Sequence, residues 1–206
     1  MGVILELPKR APEKFGHKRV RKHKQQRDLE RAGQMNLFLA EARILSLPSR
    51  LSPFEEALLL DDRGNDAAIA LYRAAIEAGD YPADSYCNLG ILESQAGKID
   101  DAFDCFTKSL GLDPVHFESH YNIGNLFFDV GELRSARVHY QIAKGIQNDF
   151  PNLYFNLGLV LALEKSHEEA RTVLMKYKRL ASEKEAAKAD GILEALENAL
   201  TMSDSS

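Results

Sequence analysis

Asn88-Leu89-Gly90, Asn122-Ile123-Gly124 and Asn156-Leu157-Gly158 decide the reading of this chain, because each tripeptide begins 34 residues after the last. Twelve residues beyond each Gly stands Ala102, Ala136 or Ala170, and four further on stands Phe106, Tyr140 or Leu174. A fixed period between about 20 and 50 residues marks a stacked-repeat architecture. Each unit reads as two amphipathic helices. Tyr86, Leu89 and Leu92 give a stripe on the first, and Ala102, Phe103, Phe106 and Leu110 give one on the second. Gly97-Lys98, Gly131-Glu132 and Lys165-Ser166 supply the turns between them. A mid-helix Gly costs about 1 kcal/mol against Ala. Its recurrence therefore calls for a compensating gain, and close approach of the paired helices supplies one.

These residues resemble the tetratricopeptide repeat over roughly residues 49–184. The best match is unit 83–116, with Tyr86, Leu89, Gly90, Ala102, Phe106 and Pro114. Units 117–150 and 151–184 follow in the same phase, although Pro151 falls late and the third unit has no closing Pro. The resemblance implies an all-α, right-handed α-α superhelix of about four helix pairs. Residues 49–82 form a degenerate first unit, with Glu55-Glu56 in place of Leu-Gly and a first helix ending near Asp62-Arg63-Gly64. Ser52-Pro53-Phe54-Glu55 has the pattern of a capping box with Pro at the first helical position. Residues 27–48 read as an N-terminal helix stopped at Pro48. Residues 185–202 read as a C-terminal capping helix with Ala189, Ile192, Leu193, Leu196 and Leu200 on one stripe, opened by Ser182 and Glu185.

Charge is divided unevenly. Residues 1–46 hold 11 Lys and Arg against 5 Asp and Glu, whereas the rest hold 15 against 26. Residues 1–26 read as an unpacked basic arm, too poor in apolar side chains to offset the entropy of ordering. Lys18, Arg19, Arg21, Lys22 and Lys24 are its candidate contacts to nucleic acid or an acidic partner, against the plainer reading of a solvated tail. No aromatic residues interleave them, so base stacking is not favoured.

In the resembled family the first helix of each pair lines a concave face that binds other chains. Carried onto this sequence, that face holds Asn88, Ile91, Tyr121, Asn122, Asn125, Phe128, Asp129, Phe155, Asn156 and Leu159 as candidate partner-binding residues, with Asp84, Cys87 and Glu118 beside them. Asn88, Asn122 and Asn156 form a ladder whose amides offer donors and an acceptor to an extended peptide backbone. The same amides could instead bond neighbouring helices. Tyr121, Phe128 and Phe155 fit either selectivity pockets or core. The family's clamp for a C-terminal carboxylate is disfavoured, since no Lys or Arg falls at inner positions of residues 84–163. A neutral-to-acidic groove suits a basic or apolar segment, and the arm at 9–24 is itself a candidate to fold over it and compete.

No enzymatic signature survives inspection. Gly90 to Gly97-Lys98 has the wrong spacing for a phosphate loop, and Ile99 stands where Ser or Thr is required. His116 and His120 lack further ligands at metal spacing. Cys87 and Cys105 read as reduced helix residues. No run of eighteen apolar residues occurs, Met1 to Glu6 has no signal-peptide n-region, and Glu6 breaks a myristoylation pattern. The expectation is a cytoplasmic, non-catalytic interaction scaffold or adaptor without cofactor or metal, binding a protein or peptide segment. The alternatives are a chaperone for secreted or unfolded clients and a nucleic-acid-associated regulator acting through the arm.

Overall fold

The computed structural model describes residues 13–21 and 51–204. Regular structure among them is helical throughout. Four antiparallel pairs follow in order: α1 (Pro53–Asp61) with α2 (Ala67–Ala78), α3 (Pro82–Gln95) with α4 (Ile99–Leu112), α5 (Phe117–Asp129) with α6 (Leu133–Ile146), and α7 (Pro151–Leu163) with α8 (His167–Leu180). A short α9 (Glu183–Ala186), one 3-10 turn and α10 (Asp190–Asp204) close the array. The region read as an N-terminal helix, 27–48, lies outside the described residues.

Local chemistry sets the helix ends. Ser52 accepts from Glu55 N while the Glu55 carboxylate accepts from Ser52 N, so the capping box at α1 is closed in both directions. Gly97 and Gly131 turn the second and third hairpins at φ +77° and +81°. Lys165 makes the equivalent turn in the fourth hairpin at φ +62°, a left-handed conformation that a side chain resists. Ser182 and Glu185 depart from the expected cap. Their side chains bond each other at 2.8 Å, and Ser182 makes no side-chain bond to the helix backbone.

The mid-helix glycines are explained by what faces them. A Cβ on Gly90 would lie 2.8 Å from the Phe106 ring, one on Gly124 2.6 Å from the Tyr140 ring, and one on Gly158 2.6 Å from Leu174. The partners are the large residues that recur sixteen positions later. In the second, third and fourth hairpins a backbone-to-side-chain contact thus sits at the crossing, and Ala102, Ala136 and Ala170 on the facing helices are fully buried. At the far end Ala189, Ile192, Leu193 and Leu196 join the buried cluster of Leu174 and Tyr177, so α10 covers the apolar face of the last pair.

Candidate functional site: a groove occupied by residues 13–21

The inner faces of α3, α5 and α7 form a groove, and a segment of the same chain lies in it. Residues 13–21, placed by composition in an unpacked arm, are extended along the concave face, running opposite to the order of the repeats. The Asn ladder holds them. Asn156 Oδ1 accepts from Phe15 N at 2.7 Å and its Nδ2 donates to Phe15 O at 2.9 Å. Asn122 does the same for Lys18 at 2.9 and 2.9 Å, and Asn88 for Val20 at 2.9 and 3.1 Å. An extended residue presents its N–H and C=O on one edge, and a primary amide matches both at once. These contacts ignore side-chain identity.

Neighbouring groups fix the amides. Asn156 Nδ2 also reaches Asn125 Oδ1 at 2.8 Å, and Tyr140 OH donates to that oxygen at 2.6 Å. Asn125 Nδ2 and Tyr121 OH donate to Gly16 O, both at 3.1 Å. Burial pushes the Tyr121 phenol well above its usual range, which keeps it an O–H donor. At the other end Tyr72 OH contacts Asn88 Nδ2 at 3.2 Å and donates to Asp61 at 3.0 Å, so the degenerate first pair buttresses the ladder.

Side chains of the segment meet specific partners. The Phe15 ring lies edge-on to Phe155 at 5.1 Å and near Tyr177 at 6.0 Å, with Lys188 Nζ 4.3 Å from its centroid. Val20 is 3% exposed and shares a cluster with Cys87, Ile91, Phe106 and Ile123. Lys14 pairs with Asp129 at 3.2 Å, Lys18 with Glu118 at 3.1 Å and Arg19 with Asp61 at 2.9 Å. Burial raises the Asp61 carboxyl above the usual carboxylate range while Arg19 and Tyr72 draw it back, as expected of a buried acid that relies on its partner. His17 Nε2 lies 3.2 Å from Ser94 Oγ.

The sequence-derived candidates divide accordingly. Asn88, Tyr121, Asn122, Asn125, Asp129, Phe155 and Asn156 touch the segment, and Ile91 packs with Val20. Leu159 belongs to the buried core, and Phe128 packs against that core. Asp84 is turned to His116 Nε2 at 2.9 Å. Lys18 and Arg19 face the groove, Arg21 lines a cleft at its edge, and Lys22 and Lys24 lie outside the described residues. Sequence reasoning missed Asp61, Phe117, Gln147, Phe150 and Tyr177. They sit at helix boundaries or on second helices, beyond the inner-face positions. The aromatic pair flanking the third hairpin, Phe117 and Phe150, was the available signal.

Among the described residues no cluster of three metal-ligating side chains occurs, and no helix is long and apolar enough to cross a membrane.

Comparison with known proteins agrees with this architecture. The tetratricopeptide repeat family profile matches residues 83–116 and 151–184. Tetratricopeptide repeat protein 8 of Caenorhabditis elegans is 31% identical over 110 residues, 52% of this chain and 22% of that protein. BBSome complex member BBS4 of Bos taurus is 25% identical over 116 residues, 56% of this chain and 22% of that protein. The chain thus spans 22% of the length of each of these relatives. Among solved structures, MamA superimposes with a TM-score of 0.57 at 21% identity, covering 72% of this chain and 85% of that one. The first repeat domain of Spaghetti (RPAP3), bound to an HSP90 peptide, gives 0.53 at 23% identity, covering 58% and 93%. The Yersinia enterocolitica type III secretion translocator chaperone SycD gives 0.52 at 19% identity, covering 55% and 82%. At these identities the structural likeness speaks for the fold.

Proposed function

On the premise that this chain belongs to the tetratricopeptide repeat family, we propose that it is a non-catalytic adaptor whose concave groove holds an extended segment of a partner protein, and that residues 13–21 are a built-in occupant which the partner must displace. One observation carries the reading. Three asparagines at equivalent repeat positions each bond both the N–H and the C=O of one residue in an extended chain. Amides that merely braced neighbouring helices would not each meet both backbone groups of Phe15, Lys18 and Val20 in turn along a crossing strand. The acidic partners of Lys14, Lys18 and Arg19 set the preference for a basic segment. Arg21 and Leu51, which bound the connecting residues 22–50, line one cleft of about 380 Å³, so the occupant is tethered beside its own site. Tethering raises its effective concentration and sets a threshold that a partner must exceed. Two buried free cysteines suit a reducing compartment such as the cytoplasm.

The test uses the full-length chain, intact or opened by Phe15→Ala, Lys18→Ala and Val20→Asp within the segment. A fluorescent peptide of residues 12–23 should bind the opened chain saturably, and the intact chain at least ~10-fold more weakly. Equal affinity for both would remove the competition. No saturable binding to the opened chain would remove the groove as a binding site.

A further inference from the structure

The Asn ladder reads backbone and cannot choose among sequences, yet one side chain of the occupant sits in a pocket with definite chemistry. Lys18 Nζ lies 4.2 Å from the centroid of Phe117 and 4.6 Å from that of Phe150. The two rings stand at 89° to each other, 5.6 Å between centroids, and form two walls of a corner. Glu118 Oε1 closes it at 3.1 Å, and Gln147 Oε1 accepts from the ammonium at 3.4 Å. Phe117 opens α5 and Phe150 precedes α7, so the corner joins the first and last residues of unit 117–150, and the equivalent pairs, Ala83 with His116 and Pro151 with Lys184, do not repeat it. Aromatic faces carry negative quadrupole potential, and two of them with a carboxylate suit a cation whose hydration has been partly stripped. An apolar side chain of equal length would fill the corner but leave Glu118 without its counter-ion.

We propose that Phe117, Glu118, Gln147 and Phe150 form a lysine-ammonium subsite. With the Phe155–Tyr177 slot and Asp61, it makes the groove selective for extended segments in which an aromatic residue is followed three positions later by Lys-Arg. The spacing comes from Phe15, Lys18 and Arg19, whose side chains enter those three places. Asn156 and Asn122 fix the interval by clamping Phe15 and Lys18 themselves. The partner class is thus a basic peptide segment with an aromatic anchor. Acetylation of the central lysine would weaken its recognition by removing the charge. This selectivity rests on the groove being a peptide site, and the experiment separates the two.

Labelled peptides of residues 12–23 carrying Lys, Arg, Met or acetyl-lysine at position 18 are titrated against the full-length opened chain. The Lys peptide should bind, the Arg peptide within a few-fold of it, and the Met and acetyl-lysine peptides at least ~10-fold more weakly. Glu118→Gln in the chain should weaken the Lys peptide and leave the Met peptide unchanged. Lys and Met peptides of equal affinity would overturn the subsite while leaving the groove intact. If neither bound, the groove reading would fall and the subsite with it. Should the opened chain not fold, Lys18→Met in the otherwise intact chain replaces it. The rate at which a thiol reagent reaches Cys87, buried with Val20, should then rise about tenfold in a Cys105→Ala background, and an unchanged rate overturns the subsite.

Discussion

In the second, third and fourth pairs the first and second helices differ in sequence and in how much of it is buried. Helices α3, α5 and α7 bury 8 of 14, 9 of 13 and 10 of 13 residues, whereas α4, α6 and α8 bury 4, 3 and 3 of 14. The second helices behave as ordinary surface helices with one apolar stripe, leaving Val138 and Ile142 in solvent. The first helices are enclosed on both sides, by their hairpin partners and by residues 13–21. Asn88, Asn122, Asn125 and Asn156 are all 0% exposed. Buried amides need partners, and here the crossing segment supplies them. The contrast teaches that the concave face is finished as an interior only when a strand lies in it.

The strongest way to break this contrast is to break the hairpin beneath it. Gly124→Leu drives a side chain into the Tyr140 ring, where even a Cβ would stand 2.6 Å away. We expect a loss of about 3 kcal/mol or more in urea unfolding, and an unchanged midpoint would refute the role given to the glycine.

Asn122→Ala attacks the concave side alone. It leaves both backbone groups of Lys18 without their protein partners, at a cost of about 1–3 kcal/mol in segment docking. Labelling of Cys87 should accelerate ~10-fold or more. The matching convex substitution, Val138→Thr, should move neither labelling nor unfolding by more than about 0.5 kcal/mol. Equal responses from the two faces would erase the distinction between them.

Lys165→Gly sharpens the comparison between repeats. It gives the fourth hairpin the residue that Gly97 and Gly131 give the second and third. Relief of the left-handed conformation should stabilise the fold by roughly 0.5–1 kcal/mol, read as a raised thermal midpoint.

The smallest effect concerns pH at the contact of His120 on α5 with His139 on α6. Burial and the neighbouring His120 lower His139 to about 4, and the two Nδ1 atoms are 3.1 Å apart. Burial likewise lowers His120, whose Nε2 donates to Pro114 O. Both rings are therefore held neutral. Their contribution is present above the ordinary histidine value of 6.5 and declines as pH falls from there towards about 4, as the unfolded chain takes up protons that the folded chain refuses. A thermal midpoint falling across that window in the intact chain, and falling less in His139→Gln, would show it.

Much of this was legible in the chain itself. A period of 34 with Gly, Ala and a large residue at constant offsets specifies hairpins that shelter their apolar stripes only against neighbours, and spacing reports that directly. The inner position of the Asn ladder followed from the resemblance to a known repeat. The arm was harder. Its sparse apolar residues argue for a solvated tail, because composition counts what a segment can bury among its own residues. Phe15 and Val20 bury against another part of the fold, and seven backbone hydrogen bonds to asparagine add to that.

By itself, then, the sequence determined the repeated hairpin, the glycine contacts that close it and the acidity of the inner wall, all consequences of local periodicity and residue type. Only the tertiary structure decided that residues 13–21 fill that wall and that Phe117 and Phe150 meet around Lys18. Those contacts join positions up to 141 residues apart, and no periodicity links a strand to the amides that hold it.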